Sequence, residues 1–285
     1  MPVDAASVRS TFFGTSSIHV TDGVTGILVD GFFTRPSLLR IALGRPIAPD
    51  PGRISDALSR GGVEHLDALF VAHSHHDHVM DSPEVVKRVG GVLHGSESTV
   101  NVGRGTGLGD ESMRRISDGD TYVFGNFTVR VLEGVHSPGD RYPGRIDEPL
   151  VPPVKASAYR TGGCYSFLFE HPTGTMLVHP SANFVPDKFD GLDVDLLYLG
   201  VGALGAQSAR FQNDYWRHTV EAIRPGLIIP VHWDHFGRSL DKKPRPMPRV
   251  LDDFAKTREL LDRKSAESGI PVRFQRPYET ITPFS

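Results

Sequence analysis

The stretch "LFVAHSHHDHVMD", Leu69 to Asp81, decides the fold. The apolar run "LDALFVA" reads as a buried strand. It gives way at once to His73, His75, His76, Asp77 and His78, five ionisable side chains in six positions. Burying that many polar groups at a strand end is costly unless something binds them. In an extended backbone, side chains two apart point the same way. His73 and His75 therefore share a direction, Asp77 keeps that parity, and His78 turns to the other side. Imidazole nitrogens with a carboxylate oxygen suit zinc, iron or manganese. The loop reads as a metal holder.

Working outward, two distant strands end in the same manner, at His136 in "VLEGVHSPG" and His232 in "IIPVHWDHF". A merely solvated histidine-rich loop would not require those endings. The opening "STFFGTSSIHVTDGVTGILVDGFF" shows two β-rich runs around a Thr-Asp-Gly turn. "SDALSRGG" reads as a short helix with a Gly-Gly break, and Ser82 and Pro83 as N-cap and first residue of a helix stopped by Gly90. Further strands are expected at "GVLHG", on both sides of the Gly-Asn turn in "DTYVFGNFTVRVLEGVH", in the hairpin "CYSFLFEHPTGTMLVHPS", at "DVDLLYLGV", and at "IPVRFQ". Helices are expected at "QNDYWRHTVEAIR" and "RVLDDFAKTRELLDRKSAES". The Pro- and Gly-rich segment 137–163 is too long for an ordinary connection, so it is either a working loop or disordered.

The 285 residues are 39% hydrophobic and 23% charged with a net charge of −3, ordinary values for a globular chain. Mixed charge of this kind offers no basic field for nucleic acid. The single cysteine, Cys164, excludes an internal disulfide framework and suits the cytoplasm. The first residues, "MPVDAASVRSTFFG", lack the basic and apolar regions of a secretory leader, and no apolar run approaches the roughly 18 residues that span a bilayer. With no repeat and no composition shift, residues 1–285 read as one α/β domain in a soluble, cytoplasmic protein.

"HSHHDH" fits the pattern His-x-His-x-Asp-His, and "LVDGF" before it and "VH" and "VHW" after it keep the same order. In these motifs, from Phe12 to Phe236, the chain resembles the metallo-β-lactamase superfamily, with a looser likeness to the ascorbate-6-phosphate lactonase-like branch. The resemblance implies a four-layer αββα sandwich with its metal site at one edge between the sheets. It also implies one metal on His73, His75 and His136, a second on Asp77, His78 and His232, and Asp30 behind the ligands, holding the metal loop.

The pattern breaks once. Superfamily members carry an aspartate after the hairpin strand that bridges the two metals, and here Ser181 in "MLVHPSANF" takes its place. Three outcomes stay open. One metal binds, with Asp77 and His78 as acid/base or orienting groups; Asp234 or His235 restores a ligand; or His179 contributes. The reading favoured is a two-metal site, with Asp234 as compensating ligand or acid/base group.

Other residues carry weaker expectations. Tyr159 and Arg160 would line a substrate mouth or belong to a solvated loop, while Trp233 would wall the pocket or pack in the core. His235 is a further substrate candidate. Cys164 starts a strand and reads as core, and "GRGTGLGD" as a loop. The expected function is a metal-dependent hydrolase in which Zn2+ (one or two ions, with Mn2+ or Fe2+ as alternatives) makes water nucleophilic. Its substrate would be a small-molecule ester, lactone, phosphodiester or amide. The alternative is a non-catalytic metal-binding scaffold, and neither nucleic acid nor membrane is an expected partner.

Overall fold

The computed structural model describes residues 7–284; residues 1–6, part of the stretch in which a leader was sought, lie outside the described residues. The opening run is split in two. Strand β1 (Arg9–Gly14) is separated from β2 (Ser17–Thr21) by a turn in which Gly14 and Thr15 have φ of 100° and 54°. At the expected Thr-Asp-Gly turn, Asp22 Oδ1 accepts from the amides of Val24 and Thr25 at 3.0 and 2.7 Å, fixing the entry to β3 (Gly26–Val29).

Helix α1 (Leu38–Ala42) follows, then α2 (Pro51–Arg60), which starts earlier than "SDALSR" suggested because Asp50 caps the amides of Gly52 and Arg53. Strand β4 (Ala68–Phe70) leads to the short helix α3 (His76–Val79) and to α4 (Ser82–Val89). Asp81, not Ser82, holds the N-cap position of α4. Its carboxylate is turned to the amides of Phe33 and Thr34 and the Thr34 hydroxyl. Strand β5 (Val92–Gly95), helix α5 (Glu97–Gly105) and β6 (Met113–Arg115) come next, so the start of "GRGTGLGD" is the last turn of a helix.

The second half holds β7 (Thr121–Phe124), β8 (Phe127–Glu133), β9 (Tyr165–His171), β10 (Gly174–His179) and β11 (Leu196–Gly200). Helix α6 (Ala209–Trp216) runs on through a π turn at Arg217–Glu221 to β12 (Leu227–Val231), and α7 (Phe254–Ser268) precedes β13 (Thr280–Ile281). The expected strand "IPVRFQ" makes only a bridge between Val272 and Ile228; the last strand lies beyond it and pairs with β1.

Two sheets result, in the orders β13-β1-β2-β3-β4-β5-β6 and β12-β11-β10-β9-β8-β7. Alternation along each strand assigns the layers. Ile27, Val29 and Phe70 of one sheet meet Phe167, Phe169, Val178 and Ile229 of the other in a shared core. Leu28 and Leu69 point the other way, onto Ile54, Leu58 and Val85 of α2 and α4. Leu197 and Ile228 likewise pack on Tyr215, Trp216 and Leu261 of α6 and α7. This is the four-layer αββα sandwich. Segment 137–163 is ordered along α5: the Ser98 hydroxyl accepts from the Ile146 amide, Asn101 Nδ2 donates to the Ile146 carbonyl, and the Asn101 carbonyl accepts from the Leu150 amide.

Candidate metal centre

The carboxyl ends of β4, β8 and β12 open on the same edge, where chain leaving a strand can turn side chains toward a common point. After β4 the Ala72 amide donates to Asp30 Oδ1 at 2.8 Å and the Ser74 amide to the Thr161 carbonyl at 2.8 Å, so His73 is held from both sides. His75 is the N-cap of α3. Asp77 and His78 are therefore consecutive helical residues, about 100° apart around the axis, and the strand parity expected for Asp77 ends at His75. His232 follows β12 with φ 60°, and its ring fits against Gly202, where a Cβ would fall 2.9 Å from His232 Nδ1.

These turns bring the six expected side chains together. Ligand atoms of His73, His75 and His136 lie within 4.8 Å of one another, and so do those of Asp77, His78 and His232. The two groups touch, with the rings of His73 and His78 only 3.8 Å apart between centroids. Asp77 Oδ2 is 3.2 Å from His232 Nε2 and 3.9 Å from His78 Nε2.

Tautomers follow from the partners behind the rings. His78 Nδ1 donates to Asp30 Oδ2 at 2.7 Å, leaving Nε2 as the free acceptor. His136 Nδ1 donates to the Ser137 carbonyl at 2.8 Å. His75 Nε2 lies 3.2 Å from Asp140 Oδ1 and 3.1 Å from the Thr161 hydroxyl, so Nδ1 carries its lone pair. Such outer partners fix ring angle and basicity in metal sites.

Charge states agree. Burial, reinforced by His78 and His136, depresses His73 well below the usual imidazole value, and burial lowers His75 to about 4 despite the pull of Asp77. Burial opposes ionisation of Asp77, but His78 and the hydrogen bond from His232 outweigh it and hold the carboxyl well below its ordinary range. Both nitrogens of His73 and Nε2 of His78 are buried without a hydrogen-bond partner among the described residues. Orphaned imidazole nitrogens beside an ionised carboxylate are a donor set that fits one or two divalent cations.

Several expected residues are placed elsewhere. Asp234 is buried with both oxygens taken, Oδ2 by Arg35 Nη1 at 2.7 Å and Oδ1 by the Thr15 amide at 2.7 Å. It belongs to neither triad, which corrects its expected part as ligand or acid/base group. His179 is likewise committed, with Nδ1 on the Ser166 hydroxyl and Nε2 on the Asn183 carbonyl. Ser181 is buried with its hydroxyl 3.6 Å from Cys164 Sγ, which leaves an uncharged group at the position of the expected bridging carboxylate.

A cleft of about 370 Å³ opens at the triads, lined among others by Arg141, Tyr142, Gln207, Phe236, Met247 and Leu251. None of the four substrate candidates lines it. Tyr159 is fully buried among the helices of the first sheet, and Arg160 is exposed and bonds the Pro143 carbonyl. Trp233 packs on Phe254 and Phe274, while His235 faces a different cavity. Asp140, Thr161 and the cleft residues of 141–142 and 247–251 went unforeseen. Only the polar "SPGDR" directly after His136 hinted at Asp140.

The chain matches no family model. It is 26% identical over 278 residues to a UPF0173 metal-dependent hydrolase of Thermus thermophilus, covering 96% of this chain and 98% of that one. A relative of the same description in Heliobacterium modesticaldum is 26% identical over 234 residues, covering 79% and 82%. Among solved structures, the metallo-β-lactamase fold protein YhfI of Bacillus subtilis superposes with a TM-score of 0.58 at 14% identity, over 97% of this chain and 99% of that one. The UPF0173 metal-dependent hydrolases are thus homologues of this chain, and its architecture is the metallo-β-lactamase fold.

Proposed function

We propose that the chain works as one domain, a metal-dependent hydrolase of the cytoplasm that cleaves a small-molecule ester, lactone, phosphodiester or amide. The observation that carries this reading is the pair of triads, each with two buried members and one half-buried, in which nitrogens of His73 and His78 are unsatisfied among the described residues. His73, His75 and His136 would hold one cation and Asp77, His78 and His232 the second, with zinc favoured by the imidazole-rich set and Mn2+ or Fe2+ compatible with it. When bound, such ions lower the pKa of water to about 7 and polarise the oxygen that gains charge.

The chain's own groups do the rest. Asp77, the one carboxylate in the triads and ionised, accepts a hydrogen bond from the attacking water and orients it. Asp30 and Asp140 keep His78 and His75 in one tautomer and one orientation. Phe236, Met247 and Leu251 give the cleft an apolar wall that excludes bulk water and seats an apolar part of the substrate.

The test combines elemental analysis with a panel of chromogenic esters, lactones, phosphodiesters and amides, run with and without chelator. Chelator-sensitive turnover is expected, abolished by Asp77→Ala and by His136→Ala. Near-normal turnover in either variant removes the assigned role. Ser181 favours a second reading, a metal-binding scaffold without turnover, because no carboxylate stands where the bridge is expected. Bound metal with no hydrolysis across the whole panel would select it.

A further inference from the structure

A second cavity, of about 690 Å³, lies behind "VHWDHFGRS" and shares no lining residue with the cleft at the triads. Its walls come from residues 34–40, from 47–53 at the start of α2, and from the loop 235–242. Arg35, Arg40, Arg53, Arg238 and Lys242 line it against a single lining carboxylate, Asp50. The chain as a whole carries a net charge of −3, so this concentration of cations is local.

The charges there are poorly compensated from within. Asp50 lies 3.6 Å from Arg53, and its Oδ1 is occupied in capping α2. Arg35 is paired with Asp234. Arg40, Arg238 and Lys242 have no carboxylate within salt-bridge distance among the described residues. Arg40 and Arg238 spend only their Nε atoms, on the carbonyls of Pro46 and Lys243.

Arg35 supplies the second observation. Its side chain is 3% exposed and its Nε–H is buried with no acceptor among the described residues. The guanidinium is thus held in the cavity wall as a desolvated cation whose donors are not all satisfied by the fold. Its backbone sits at φ 48°, which a side-chain-bearing residue rarely adopts, and a Cβ on Gly14 would collide with its guanidinium. The fold therefore accommodates Arg35 at this position at some expense.

We propose that this cavity binds a phosphorylated small molecule at a site separate from the metal centre. Planar guanidinium groups engage phosphate through paired hydrogen bonds, which a strongly hydrated ammonium does less well, and four of the five cations here are arginines. The volume exceeds what a bare phosphate fills and falls in the range of small-molecule pockets. Pro36, Ile47, Ala48 and Pro49 add an apolar wall for the organic part. The segment is shared with the metal centre in one respect: His232 faces the triads, Asp234 anchors Arg35, and His235 lines the second cavity.

Calorimetric titration of metal-free protein with inorganic phosphate, pyrophosphate, ADP and citrate tests the proposal. The expected result is one saturable site for pyrophosphate or ADP that weakens with added salt. It should be unchanged in His136→Ala and weakened roughly tenfold or more in Lys242→Glu and in Arg40→Ala/Arg238→Ala. These substituted cavity residues are exposed or half-buried, so the fold should survive, and circular dichroism checks it. Tighter binding of ADP than of pyrophosphate marks a nucleotide as the ligand, and equal binding marks the phosphate group alone; both support the site. No saturable binding at millimolar ligand overturns it. So does citrate binding as well as pyrophosphate, or binding that His136→Ala abolishes and Lys242→Glu leaves intact.

Discussion

Arg35 Nη1 and Asp234 Oδ2 meet at 2.7 Å with side chains 3% and 1% exposed, joining the loop after β3 to the segment that carries His232. Removing one partner of such a pair strands a charge in the interior. Asp234→Ala is therefore expected to lose about 3–5 kcal/mol of stability while the metal content per chain stays as in the wild type. Denaturant unfolding beside elemental analysis reads both quantities. Loss of a metal equivalent in a variant that remains folded would return Asp234 to the ligand set.

Asp30 is a subtler case because Oδ1 serves the Ala72 amide while Oδ2 serves both His78 Nδ1 and the Ser16 hydroxyl. In Asp30→Asn the amide oxygen can still accept from the Ala72 amide, so the loop keeps its anchor. The amide nitrogen then faces His78 Nδ1 and cannot accept its proton. The proton moves to Nε2 and removes the lone pair that points into the triad. Affinity for one metal equivalent should fall about 10- to 100-fold in a competition titration with a chelator, the other equivalent being little changed. Equal affinity in variant and wild type would show that Asp30 is only a strand-end turn residue.

What the sequence made legible, and what it did not, divides along physical lines. The ligand candidates were readable because ligand chemistry is local, with imidazoles gathered just past apolar strands, while their division into two triads came from the resemblance. The four layers were implied by the resemblance alone, because "GILV" and "ALF" are apolar on both faces and only the structure separates Leu28 and Leu69 from Ile27, Val29 and Phe70. The parity of Asp77 was misread because one turn of helix, capped at His75, replaces the strand one residue before it. Asp234 looked available beside His232, yet its partner Arg35 is 199 residues away, and no local pattern reports a pair at that separation. The cleft walls come from the irregular segments 137–142 and 247–252, whose position depends on what they pack against.

Three histidines outside the triads give stability a pH dependence. His19, His94 and His179 are buried, and burial lowers each from 6.5 to about 4. The unfolded chain binds protons at these sites between those values and the folded chain does not. Their contribution is complete above pH about 6.5 and is lost as pH falls toward 4, on the order of 1–3 kcal/mol per residue. His94 stacks on Phe70 at 4.5 Å, so His94→Phe keeps much of the packing and removes the titration. Urea unfolding across this range should show a shallower pH slope in the variant. An unchanged slope would mean that His94 is protonated in the folded protein.

Phe236 separates binding from chemistry at the cleft. Its ring lies 6.0 Å from that of His76 and 6.1 Å from that of His232, over the mouth of the triads, and it contributes no ligand atom. Truncation removes apolar contact area that a seated substrate would cover in the ground state and the transition state alike. Phe236→Ala should then raise KM roughly tenfold with kcat changed far less, whereas Asp77→Ala should collapse kcat. The substrate for this comparison is whichever member of the panel turns over. A fall in kcat for Phe236→Ala equal to that for Asp77→Ala would place the aromatic ring against the reacting atoms, and the apolar wall would then be part of the chemistry rather than of substrate seating.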